Sequence, residues 1–186
     1  MKIVIFGDSI TNGYDYSDHS SSTLLKESIE KASADRISVN LQGVNGENTT
    51  DCLVRIPRVL AENADKVLVF FGANDAAKHD PTTIEQFREN LAQIVEQIGA
   101  DRVILLTPPY HDDRYQRDDR SNSLVENYAA VTKAVAKSYQ LPLIDVYSAM
   151  TVDSNPNVWL QHDGLHFSPL GYEKLGQLIA DSLISE

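Results

Sequence analysis

A single cysteine, Cys52, in 186 residues excludes any internal disulfide. Packing and hydrogen bonding must therefore hold the chain together. A reactive thiol would want a base nearby, and TTDCLVRIP offers none. The spacing of Cys52 to Ile56 instead predicts a helix turned toward the core, where free cysteine is commonly found. Basic residues are also few: 16 Lys and Arg against 27 Asp and Glu leave a net charge of −11. That balance argues against a surface for nucleic acid or for an anionic membrane. No apolar run approaches the roughly 20 residues that cross a bilayer. The N-terminus enters a strand directly, with no basic region and longer apolar segment before it. No signal peptide is read there, and the expected location is cytoplasmic. Phosphate-binding glycine loops are missing as well, both G-x-G-x-x-G and the P-loop.

What is present fits one domain spanning residues 1–186, with 42% apolar and 23% charged residues. Five short apolar runs rich in β-branched residues stand at 2–6, 37–41, 67–71, 103–107 and 143–146. VLVFF and VILLT are apolar on both faces, the pattern of parallel strands covered on both sides. Helical spacing lies between them. Ile84, Phe87, Leu91, Ile94 and Ile98 recur at three and four residues within 82–98. Leu124, Tyr128, Val131 and Val135 form a stripe within 123–139. A last helix begins at Ser168 and Pro169, a hydroxyl cap followed by proline at the first helical position. The alternation predicts a three-layer α/β/α domain with a five-stranded parallel sheet; the pattern does not set the strand order, for which a flavodoxin-like 2-1-3-4-5 is the preferred topology. Residues 107–122, TPPYHDDRYQRDDRSN, are too polar for core. They read as a solvated loop, or as one flanking a ligand at a strand's carboxyl end.

Ligands of open parallel sheets bind outside the carboxyl ends of the strands. Four segments converge on that edge. FGDS ends the first strand, where Ser9 stands at a position suited to a helix start. Its hydroxyl would then face outward with its N–H, as a cap or as a nucleophile. GVNGENT follows the second strand; Gly46 either closes an Asn-Gly turn or brings a backbone N–H close to a ligand. FFGAND follows the third, where Asn74 aims an amide across the edge unless it or Asp75 merely closes the turn. HDGLHFSPLGY precedes the last helix. Asp163 and His166, three apart, can face one another there, leaving Nε2 as a base, while the adjacent His162 would point elsewhere. Each signal alone has a bland explanation. Together they supply nucleophile, base, orienting carboxylate and oxyanion donors, the parts that acyl transfer requires.

These blocks, in this order from Phe6 to Tyr172, resemble the GDSL-type esterase/lipases of the SGNH hydrolase superfamily. FFGANDA, LLTPP and DGLHFSPLGY are especially similar to the branch of isoamyl acetate-hydrolysing esterases. The resemblance implies Ser9 as nucleophile and Asp163 with His166 as its partners. It implies an oxyanion hole from the N–H groups of Ser9 and Gly46 and the amide of Asn74. It also implies a flavodoxin-like fold, no metal, no organic cofactor and a small-molecule ester as substrate; a chain this short has little room for a lid domain, which points to short-chain esters. There is no G-x-S-x-G, so the strained elbow of α/β-hydrolases does not apply. A thioesterase, lysophospholipase or carbohydrate deacetylase would use the same residues. A non-catalytic flavodoxin-like module binding a small anion is the rival from another class. Phe71, Tyr110, Tyr115 and Trp159 are the aromatic candidates for an acyl pocket.

Overall fold

The computed structural model describes residues 1–79 and 81–184. In its first half, β1 (Lys2–Gly7), α1 (Leu24–Ala32) and β2 (Ser38–Gly43) precede two short helices, α2 (Thr49–Cys52) and α3 (Ile56–Ala61). Then follow β3 (Lys66–Phe70), α4 (Ile84–Ile98), β4 (Val103–Leu106) and α5 (Asp113–Arg120). α6 (Asn122–Ser138), β5 (Leu143–Ile144), α7 (Val146–Thr151) and α8 (Pro169–Ile184) complete the order. All strand pairs are parallel, as the alternation predicts, and the order is the preferred one, β2-β1-β3-β4-β5.

Successive residues of the central strands face opposite layers. Val4, Phe6, Val67, Val69 and Leu105 pack with Phe87 and Leu91 of α4 and with Tyr128 of α6. Ile3, Ile5, Leu68, Phe70 and Leu106 pack on the other face with Leu25 and Ile29 of α1 and Leu175 and Ile179 of α8. Two buried faces explain why these strands carry no polar alternation. Each large side chain buried this way contributes about 1.5–3 kcal/mol. α4 begins after Thr83, whose hydroxyl accepts from Gln86 N–H at 3.2 Å, and ends at Gly99 with φ +102°. Ser168 caps α8 as its sequence predicts, its Oγ accepting from Gly171 N–H at 3.0 Å.

Two local expectations change, and one helix is added. Cys52 is buried in the core, but its helix is interrupted: a 3₁₀ turn (Leu53–Arg55) separates α2 from α3. Burial pushes its thiol well above the ordinary range, so it is inert. α1 is a helix that no strong apolar stripe announces; only Leu25 and Ile29 are buried in it. Residues 107–122 contain the helix α5, capped by the Asp112 side chain, which accepts from Arg114 N–H at 2.9 Å. Among the described residues no helix is long and apolar enough to cross a membrane.

Candidate active site

Ser9 stands two residues beyond β1, in a turn and not at a helix start. Asn12 N–H donates to Asp8 O at 3.0 Å and Tyr14 N–H to Ser9 O at 3.0 Å, and Gly13, at φ +70°, ends the turn. The chain then leads into the Tyr14–Ser21 bridge, so the next helix waits until Leu24. The Tyr172 hydroxyl, from α8, donates to Ile10 O at 2.8 Å and fixes this turn against the last helix.

The segment before α8 meets it. Ser9 Oγ lies 3.0 Å from His166 Nε2, and His166 Nδ1 lies 2.6 Å from Asp163 Oδ2. The other Asp163 oxygen accepts from the N–H groups of Leu165 and His166 at 3.0 and 3.1 Å. Burial pushes the Asp163 carboxyl upward, but these hydrogen bonds and the His166 charge outweigh it and hold it below the ordinary value. Gly164, at φ +72°, makes this tight approach; a Cβ there would meet Asp112 Cβ at 2.9 Å. The Tyr14 ring flanks the imidazole at 4.7 Å between centroids. His162 packs instead edge-on to Tyr16, at 5.2 Å.

Gly46 and Asn74 line the same cleft as Ser9 and His166. Gly46 adopts φ +80° with open space where a Cβ would stand, so conformation and not crowding calls for glycine. Asn74 Nδ2 donates to Glu47 O at 2.9 Å. Glu47 is in turn held by an ion pair with Arg55, whose guanidinium also donates to Gly7 O at 3.2 Å. The Asp75 side chain does not close its own turn but reaches another segment: Thr49 N–H donates to its Oδ1 at 3.0 Å, tying the β3 turn to α2.

Asp8, directly before Ser9, is 2% exposed and accepts from Ile10 N–H at 2.9 Å. Burial pushes its carboxyl up to about 7, against the smaller pull of that N–H and of the His166 and Arg120 charges. His111 is fully buried, and burial and the nearby Arg120 charge push it down to about 3, so it adds no charge to the site. The Asp8 shift has a sign. The folded chain holds this proton more tightly than the unfolded chain, whose value is 3.8. The stabilisation is complete below about pH 4 and is lost as pH rises through about 7. Asp8→Asn keeps the acceptor for Ile10 and removes the titration. Its stability by chemical denaturation is expected to exceed wild type by a few kcal/mol at about pH 8 and to converge with it near pH 4. A pH-independent difference would refute the assignment.

The cleft above Ser9 has a volume of about 420 Å³ and is lined also by Tyr14, Tyr16, Arg120 and Leu165. An adjoining hollow of about 480 Å³ brings in Tyr115, Gln116 and His162. Of the four aromatic candidates only Tyr115 reaches these walls; Phe71 and Trp159 are core residues and Tyr110 packs against the core. Tyr14, Tyr16 and Arg120 escape the sequence reading, since each lies in a polar stretch without periodicity. A groove of about 550 Å³ between α1 and α8 meets the four segments only at Pro169 and includes none of Ser9, Gly46, Asn74, Asp163 and His166.

The chain has known relatives. The model of the GDSL-like Lipase/Acylhydrolase family matches residues 5–174. The isoamyl acetate-hydrolyzing esterase 1 homolog of Mus musculus is 28% identical over 94% of this chain and 78% of its own length. A GDSL esterase/lipase of Arabidopsis thaliana is 30% identical over 100% of this chain and 86% of its own. Among solved structures, the lipase/acylhydrolase from Enterococcus faecalis is 41% identical with a TM-score of 0.92, over 99% of this chain and 95% of that one. The chain belongs to the GDSL-like lipase/acylhydrolase family and is a carboxylic ester hydrolase.

Proposed function

We propose that this protein hydrolyses small, short-chain carboxylic esters through an acyl-serine intermediate, with Ser9 as nucleophile and Asp163 and His166 as its partners. The observation that carries it is the unbroken chain from Ser9 Oγ to His166 Nε2 (3.0 Å) and from His166 Nδ1 to Asp163 Oδ2 (2.6 Å). His166 Nε2 takes the hydroxyl proton as Ser9 Oγ bonds to the ester carbon, and Asp163 stabilises the imidazolium. The carbonyl oxygen becomes negative within reach of the N–H groups of Ser9 and Gly46 and the second Nδ2 hydrogen of Asn74. Collapse breaks the bond to the alcohol, which leaves with the proton from His166. Water, deprotonated by the same nitrogen, then attacks the acyl-serine and releases the acid.

The substrate range follows from the walls. A cleft of about 420 Å³ lined by Asn45, Asn74 and Arg120 as well as Tyr14 and Leu165 offers no continuous apolar channel for a long acyl chain. A series of p-nitrophenyl esters from acetate to palmitate is expected to reach its highest kcat/KM by butyrate and to gain nothing with longer chains, since each methylene left in water forgoes the about 0.8 kcal/mol that burial would add. An optimum at long chains would overturn the short-chain reading, and faster turnover of acyl thioesters than of matched oxygen esters would reassign the leaving group.

A further inference from the structure

Arg120 closes α5 and is 8% exposed, and its guanidinium is engaged on three sides. Nε donates to Ala73 O at 3.1 Å, Nη2 to Asn74 Oδ1 at 3.3 Å, and Nη1 to Gln116 Oε1 at 3.2 Å. Nη1 also pairs with Asp119 Oδ2 at 2.8 Å. Gln116 continues outward, its Nε2 donating to Asp163 O at 2.8 Å, and Asp112 N–H donates to Gly164 O at 2.9 Å. α5 therefore grips the β3 turn at one end and the Asp163 loop at the other.

We propose that Arg120 is a positioning residue for the oxyanion hole, holding Asn74 with an N–H toward the carbonyl oxygen and keeping that donor in register with the Asp163–His166 side. The inference rests on the role given to Asn74 above. An asparagine amide rotated by half a turn offers an acceptor where it offered a donor. Here the rotated state would set the amide hydrogens against a guanidinium and Oδ1 against the Glu47 carbonyl, so both ends oppose it. A donor aimed before the reaction costs no reorganisation when the negative charge forms. The bridge through Gln116 explains why a polar helix without an apolar stripe is folded over the site. Its hydrogen bonds, and not its burial, hold it there.

The test is a double-mutant cycle on p-nitrophenyl acetate with Asn74→Ala, Arg120→Met and the pair. Asn74→Ala is expected to lower kcat by about 10²–10³-fold, the usual cost of one oxyanion donor. Arg120→Met is expected to lower kcat by about 10–100-fold with KM changed less than about threefold, because the donor survives but is no longer held. The double variant is expected to match Asn74→Ala alone within about threefold. Multiplying losses, an unchanged kcat in Arg120→Met, or a raised KM with kcat intact would each overturn the proposal, the last by making the guanidinium a substrate contact. If Arg120→Met does not fold by near-ultraviolet circular dichroism, Arg120→Lys decides. Its single ammonium cannot serve acceptors on Ala73, Asn74 and Gln116 together. About a 10-fold kcat loss, again absorbed by Asn74→Ala, is expected, and wild-type kcat would overturn the proposal. A silent Asn74→Ala would remove the oxyanion assignment itself, whereas a costly Asn74→Ala beside a silent Arg120 variant removes only the positioning role.

Discussion

Ser9→Ala is expected to lower kcat for p-nitrophenyl acetate by about 10⁶-fold, the scale seen when a serine triad loses its nucleophile. KM and thermal stability should stay near wild type. Ser9 is 8% exposed and lines the cleft, and removal of its hydroxyl leaves the turn bonds of Asp8, Ser9 and Ile10 intact. What survives is the rate that oxyanion donors and binding alone supply. A fluorophosphonate probe supplies an independent readout, since covalent attachment needs a hydroxyl whose proton His166 can take. Peptide mass spectrometry is expected to find the phosphonyl group on Ser9 in wild type and none on the variant. Retention of more than a tenth of wild-type kcat by Ser9→Ala, or labelling at another residue, would refute the assignment.

The sheet was legible because its strands are buried on both faces. VLVFF and VILLT had no amphipathic alternative, and residues alternating between the two layers make their pairing unambiguous in the structure. α4 and α6 were legible for the complementary reason: one apolar stripe each, with a Thr83 hydroxyl setting the start of α4. α5 was not, because DRYQRDDR buries only Arg120 and owes its form to side-chain hydrogen bonds to segments distant in sequence. The same locality problem misplaced the helix after Ser9. A turn closed by Gly13 and pinned by Tyr172 takes its place, and Tyr172 lies 162 residues beyond its partner Ile10. At the site, Ser9, Gly46, Asn74 and His166, announced by short motifs, came together in one cleft, with Asp163 bonded to the imidazole from the adjoining hollow. Tyr14, Tyr16 and Arg120 carried no motif. They become visible only when the β1, β3 and α8 ends are assembled in space.

Asp163→Asn is expected to lower kcat by about 10⁴-fold, and the hydrogen bonds around Asp163 explain why so conservative a change should cost so much. Oδ1 accepts from the N–H groups of Leu165 and His166, so an asparagine will keep its oxygen there and turn its NH₂ toward His166 Nδ1. A donor facing Nδ1 makes that nitrogen the acceptor and moves the ring proton to Nε2. Nε2, 3.0 Å from Ser9 Oγ, then carries a hydrogen where it must accept one. The fold should survive, since both backbone N–H groups keep their acceptor and the volume is nearly unchanged. His162→Ala is the matched control. Its ring packs on Tyr16 outside the chain of hydrogen bonds, so kcat is expected to stay within about threefold of wild type, as for a surface side chain away from such features. A folded Asp163→Asn enzyme with more than a tenth of wild-type kcat would show that the carboxylate does not set the tautomer. A larger loss in His162→Ala than in His166→Ala would move the base to the other histidine.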